Sequence, residues 1–179
     1  TGLTWSAADT VYNYGGLSDE GFGRAVTLDE TNNWAFIGIP GKSLPGDHSG
    51  LVNGYSIAGD QLILKIIIAT PSYYGNNREE YFGSSLSMYD DILAVGVPGV
   101  FNEDAGWGKV YLFKYDATYT EFDKRWPHWK TIKDFNGLST PSSSTDKIGY
   151  SVFINGYDII IGNPGANHEQ GKVLFLNVE

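Results

Sequence analysis

Residues 81–114 read YFGSSLSMYDDILAVGVPGVFNEDAGWGKVYLFK. Ser84 to Met88 alternates small polar and apolar side chains, as a half-buried strand does, and Tyr89-Asp90-Asp91 makes a tight turn. Ile92 to Val97 is a continuous apolar run, the pattern of a strand covered on both faces. Pro98-Gly99 ends that run, a polar loop follows, and Lys109 to Phe113 alternates again. No helical period runs through the stretch. It specifies a strand, a turn, a second strand, a loop and a third strand.

The chain repeats this unit. Phe22-Gly23 leads to Gly38-Ile39-Pro40 and then Gly50-Leu51-Val52; Phe82-Gly83 leads to Gly96-Val97-Pro98 and then Gly108-Lys109-Val110. Ile148-Gly149 leads in the same way to Gly162-Asn163-Pro164 and Gly171-Lys172-Val173. The copies begin 60 and 66 residues apart. Self-similarity at so long a period indicates a propeller, a solenoid or an array. The inner strands are expected at Arg24 to Leu28, Ser84 to Met88 and Ser151 to Ile154, paired with Trp34 to Ile39, Ile92 to Val97 and Ile159 to Asn163.

The linkers carry a further strand. Leu62 to Thr70 and Trp129 to Phe135 hold the place of a fourth, outermost strand, and Gly2 to Ala7 falls in the same register ahead of Phe22. The chain thus reads as one domain over residues 1–179, with an outer strand and linker at 1–20 and repeats at 21–80, 81–146 and 147–179. The last repeat lacks its outer strand. Thr118 to Trp129 is the longest irregular connection inside a repeat, and Trp126-Pro127-His128-Trp129 opens an edge strand that tolerates the proline.

Phe-Gly, then Gly-x-Pro, then a Gly-x-Val strand, in three copies over most of the chain, resembles the FG-GAP repeat of integrin alpha-subunit β-propellers and many microbial surface proteins. The third copy departs by having Ile148 in place of Phe. The resemblance implies an all-β fold of three four-stranded antiparallel blades, circularly offset by one strand. It also implies an extracellular or cell-surface protein that binds or adheres.

Composition bounds the rest. A length of 179 residues with 41% hydrophobic content supports a substantial core, and 23 glycines with 12 tyrosines and 9 phenylalanines suit a turn-rich β fold. A net charge of −9 argues against nucleic-acid or anionic-membrane partners, which need clustered lysine and arginine. The one basic cluster, Lys124 to Lys133, is expected on a solvated edge strand. With no cysteine, disulfides, thiolate catalysis and cysteine-ligated zinc are excluded. No apolar run, Ile66 to Ala69 included, exceeds a strand's length, and the start at Thr1 reads as a processed chain, a fragment or an excerpt.

Motifs for catalysis are missing: the sequence has no Gly-x-Ser-x-Gly elbow, no His-Glu-x-x-His and no phosphate-cradling glycine loop. No catalytic residue, metal ligand or cofactor is assigned. FG-GAP members that bind calcium place a loop of alternating Asp and Asn ligands in the first hairpin. Here Asp29-Glu30-Thr31-Asn32-Asn33 has the length but not the regular spacing, so a polar turn is expected. Glu20, Glu80 and Asp146 each lie two residues before a repeat's first position and are expected to accept backbone N–H bonds in the connecting turn.

Loops after Gly-x-Pro hold His48, Phe101, Asn102, Glu103, Asp104, Trp107 and His168; such variable loops gather on one face in repeat folds. The stretch with Ser139, Thr140, Ser142, Ser143, Ser144 and Thr145 resembles an O-glycosylated segment and equally suits a bare surface loop.

Three blades are too few for a closed ring, since propellers close with about four to eight. The spare strand of Gly2, Leu3, Thr4, Trp5 and Ser6 is therefore expected to add to the open edge of Val173, Leu174, Phe175 and Leu176 in another copy. Such a head-to-tail contact gives a ring or a filament. The expected function is a non-enzymatic structural protein whose partners are copies of itself, with glycans or a surface protein as further ligands. The alternative is a ligand-binding or adhesive fragment of a larger propeller.

Overall fold

A computed structural model describes residues 9–13, 16–42, 49–71, 80–99, 108–133, 147–166 and 170–179. The protein is all-β. The described residues form three antiparallel sheets and one 3-10 turn at Phe122–Lys124. The first sheet runs β1 (Val26–Asp29), β2 (Trp34–Ile39), β3 (Leu51–Ala58) and β4 (Gln61–Ala69). The second runs β5 (Ser85–Tyr89), β6 (Ile92–Val97), β7 (Lys109–Lys114) and β8 (His128–Ile132). The third has β9 (Ser151–Asn155), β10 (Asp158–Asn163) and β11 (Lys172–Asn177), in the order β11-β10-β9. Each sheet is a meander, so neighbours in sequence pair.

Strand starts fall one or two residues later than expected in the first two repeats. The reason is a turn: Arg24 N–H donates to Gly21 O, and Ser84 N–H to Tyr81 O, so these residues close the turn instead of opening the strand. The first hairpin is a polar turn built on Asp29, whose buried carboxylate accepts from Thr31 N–H, Asn32 N–H and Asn32 Nδ2 at 2.9 to 3.0 Å. Both complete sheets carry a bulge at the same repeat position, between Gly54 and Tyr55 and between Leu112 and Phe113.

Two cores lie between the sheets, and β6 contributes to both. Leu93, Val95 and Val97 pack with Trp34, Phe36, Val52, Ile66, Ile68 and Phe82 against the first sheet. Ile92 and Ala94, from the other face, pack with Val110, Leu112, Ile148, Ile154, Ile159, Ile161 and Leu174 against the third. Trp126 closes the first core from the outside, 4.9 Å from Phe36 and 6.4 Å from Trp34 between ring centroids, both edge-on. It is a core residue in an irregular segment.

Close backbone approach sets the spacing between sheets. Gly50 and Gly108 form parallel bridges to Phe82 and Ile148, the first residues of the next repeat. Gly38 and Gly96 lie so near the following repeat that an added Cβ would sit 2.0 Å from Gly83 O and 2.1 Å from Gly149 O. Gly38 and Gly96 are required by proximity alone, whereas Gly50 and Gly108 also hold positive φ, at 81° and 88°.

Two expectations need correction. Ile159 to Asn163, like Ile92 to Val97, reads as a second strand apolar on both faces, but in β10 Asp158 and Ile160 are exposed because no further sheet lies beyond it among the described residues. The basic cluster is not one edge strand: Lys124 lies in the 3-10 turn, paired with Glu121, and Lys130 of β8 donates to the carbonyl oxygens of Val178 and Glu179.

Candidate functional site: the open face and edge of the third sheet

β11 is the last strand of its sheet, with a neighbour, β10, on one side only among the described residues. Its side chains alternate as the pleat requires. Leu174 is buried and Leu176 partly buried toward the second sheet, whereas Val173 and Phe175 point the other way and are 70% and 67% exposed. The same outward face continues across the sheet. Phe175 lies opposite Ile160, which lies opposite Phe153; Val173 lies opposite Gly162, which lies opposite Ser151.

The other two sheets give this patch its meaning. Val52 and Val110 occupy the repeat position of Val173, and Leu112 that of Phe175; all three are fully buried under the next sheet. The third sheet thus leaves open the face that the first two cover. Four exposed apolar side chains on one short sheet face, beside a strand edge with no neighbour among the described residues, is an arrangement that suits a partner.

At the other end of the molecule, residues 9–13 lie along the first sheet. Asp9 Oδ2 accepts Leu62 N–H at 2.8 Å, and Val11 packs with Phe22 on Ala35, Ile37 and Tyr55. The hydrogen bonds from Leu62 and Thr10 N–H hold the Asp9 carboxyl below its ordinary range. The proposed assembly strand, Gly2, Leu3, Thr4, Trp5 and Ser6, lies outside the described residues, as does the serine/threonine loop from Ser139 to Thr145. So do His48, Phe101, Asn102, Glu103, Asp104, Trp107, Asp146 and His168.

Glu20 and Glu80 are placed one at each repeat start, not in one site. Both are buried, and each has a lysine that the sequence reading missed. Lys42 Nζ lies 2.6 Å from Glu20 Oε1, with Asn13 Nδ2 at 2.6 Å from Oε2. Lys109 Nζ lies 3.0 Å from Glu80 Oε1, and Thr70 Oγ1 donates to Oε2 at 2.8 Å. Lys109 follows the third-strand glycine, and Lys172 holds the same place in the third repeat. The first repeat has Leu51 there and supplies Lys42 from the preceding loop, so the partner changes address while the pair persists. This drift hides the pattern from simple register matching.

Burial pushes the Glu20 carboxyl up, but the bonds from Lys42, Asn13 and Leu17 N–H, with the Lys42 charge, outweigh it and hold the group below its ordinary value of 4.5. A depressed folded value gives stability that is present above about 4.5 and lost as pH falls through the folded value. Glu20→Gln should therefore cost stability at pH 7 and narrow the gap to wild type as pH falls below 4.5, measured by urea midpoints across pH 3 to 7. A constant gap over that range overturns the assignment.

Among the described residues, no group of three or more His, Cys, Asp or Glu side chains could hold a metal ion. No helix among them is long and apolar enough to cross a membrane. No protein-family model matches the chain, and no curated protein is similar to it.

Proposed function

We propose that this chain is a non-enzymatic, extracellular structural protein of three integrin-like propeller blades that assembles head to tail with copies of itself. The observation that carries this reading is the edge of β11, which has β10 as its one neighbour among the described residues and is flanked by exposed Val173 and Phe175. Strand addition there pairs the edge's backbone groups and covers apolar surface in one step. Residues Gly2 to Ser6 are the donor strand, because their register ahead of Phe22 is that of an outer strand for a preceding blade. The contact joins two different surfaces, so it closes into a ring or continues as a filament.

An alternative is supported by the same open face: a ligand-binding or adhesive fragment of a larger propeller, whose further blades cover the third sheet in a longer polypeptide. Deleting Thr1 to Ala8 separates the two. Assembly predicts that the 179-residue chain has a mass of several chains by light scattering and that the truncated chain is a monomer. Two monomers would reject strand addition and leave the larger propeller.

A further inference from the structure

We infer that the first and third sheets carry the two halves of one interface, and that the outward face of the third sheet docks on the first sheet of a second copy in the way that consecutive sheets dock within the chain. This rests on the reading of the chain as self-associating, and it specifies a contact that strand addition alone does not require.

Within the chain, each junction has the same parts. A glycine of the second strand faces the first glycine of the next repeat: Gly38 faces Gly83, and Gly96 faces Gly149. A third-strand glycine bridges the residue before it: Gly50 to Phe82, and Gly108 to Ile148. At the second junction, Ser85 Oγ donates to Gly149 O at 2.8 Å, and Ser87 Oγ accepts Ile154 N–H at 3.0 Å. Apolar side chains fill the rest.

The third sheet retains the outgoing half of this junction with no described residue in it. A Cβ on Gly162, the counterpart of Gly38 and Gly96, would closely approach only the rotatable hydroxyl of Ser151 in its own sheet. A Cβ on Gly171, the counterpart of Gly50 and Gly108, would meet nothing nearer than Pro164 at 3.8 Å. Ser151 stands where Ser85 does, and its hydroxyl has no partner among the described residues. Around it Phe153, Ile160, Val173 and Phe175 are exposed.

The first sheet retains the incoming half. Gly23, the counterpart of Gly83 and Gly149, has nothing within 4 Å of an added Cβ. Phe22 is only partly buried, whereas Phe82 and Ile148 are buried. Val11 and Phe22 cover the centre of this face, leaving Val26 and Leu28 of β1 open, although their counterparts Leu86, Met88, Val152 and Ile154 all pack between sheets. Each half lacks what the other supplies. By repeat equivalence with the internal junctions, docking would set Gly23 O over Gly162 and toward Ser151 Oγ, Phe22 beside Gly171, and Leu28 against Phe153.

The occupant is a second copy because both halves are on this chain and, among the described residues, Val26 and Leu28 of one half and Phe153, Ile160, Val173 and Phe175 of the other are exposed at once. The outer-strand register of residues 2–7 agrees with it: a chain entering on the first sheet from that side brings the fourth strand of the sheet it docks on.

The protein has no cysteine, so introduced thiols report without background. Leu28 and Phe153, both 59% exposed, stand in the repeat positions of Ile154 and Ser87, which touch at the second junction. Leu28→Cys and Phe153→Cys are mixed in equal amounts and oxidised mildly, beside each variant alone, with and without residues 1–8. A disulfide-linked dimer in the mixture, above the level in either single variant, is the expected result; the double variant gives a ladder of covalent multiples. A link lost with residues 1–8 supports both docking and strand addition. A link that survives their loss supports docking and rejects strand addition. Assembly without the link rejects docking and keeps strand addition. Neither assembly nor link rejects both, and the two faces are then matched by further repeats of a longer polypeptide.

Discussion

Gly96→Ala is expected to destabilise the protein by about 3 kcal/mol or more, beyond the ordinary cost of one extra methyl in a core. The new Cβ would lie 2.1 Å from Gly149 O, a backbone atom held by its own turn, so the second and third sheets must part. Parting them loosens the core that Ile92, Ala94, Val110 and Leu112 share with Ile148, Ile154, Ile159 and Ile161. At about 2–4 °C per kcal/mol for a chain of this size, the melting temperature should fall by roughly 10 °C. Gly162→Ala is the matched control, at the same strand position with no neighbouring sheet among the described residues, and in dilute solution it should cost under about 1 kcal/mol because only the Ser151 hydroxyl must turn aside. Equal losses in the two variants would show that strand position, not sheet proximity, sets the cost.

Lys109→Met should be the other severe change. It removes the Lys109 ammonium from the buried Glu80 carboxylate, a loss of about 3–5 kcal/mol where a buried pair is broken from one side. Replacing both partners, with Glu80→Gln added, should recover much of that stability, since an unpaired charge costs more than an absent pair. Lys42→Met is the comparison. Lys42 is 28% exposed in its side chain against 9% for Lys109, water solvates what remains of its pair, and a loss of about 1 kcal/mol is expected. Urea midpoints of the four proteins decide it: a double variant no better than Lys109→Met would mean that the lysine acts through packing over Tyr111 instead of through charge.

Much of the sheet architecture was legible because it is periodic. Alternation and apolar runs located the strands, and the glycine register located the three repeats. What escaped was set by neighbours that sequence does not address. Ile159-Ile160-Ile161 reads like the fully covered run of β6, yet Ile160 is open, because a run of isoleucines cannot say what lies beyond a face. Trp126 sits in an irregular connection with no period to place it, and its partners Trp34 and Phe36 belong to another repeat. The lysine partners were missed because Lys42 and Lys109 come from different points of the repeat to carboxylates, Glu20 and Glu80, that share one repeat position. The open edge of β11 was legible from strand counting alone; the apolar breadth of the face beside it was not.

The alternation of β6 between two cores has a mechanical consequence. The middle sheet holds both ends of the molecule and cannot open without exposing both cores, while either outer sheet can loosen at the expense of one. Stability is then a matter of nearest neighbours, as in linear repeat proteins, and the outermost units are the weakest. A lone molecule of three sheets is mostly ends: two of its three sheets are terminal. Joined head to tail, each added copy brings three sheets and no new ends, so the share of vulnerable units falls with every addition, and a closed ring has none.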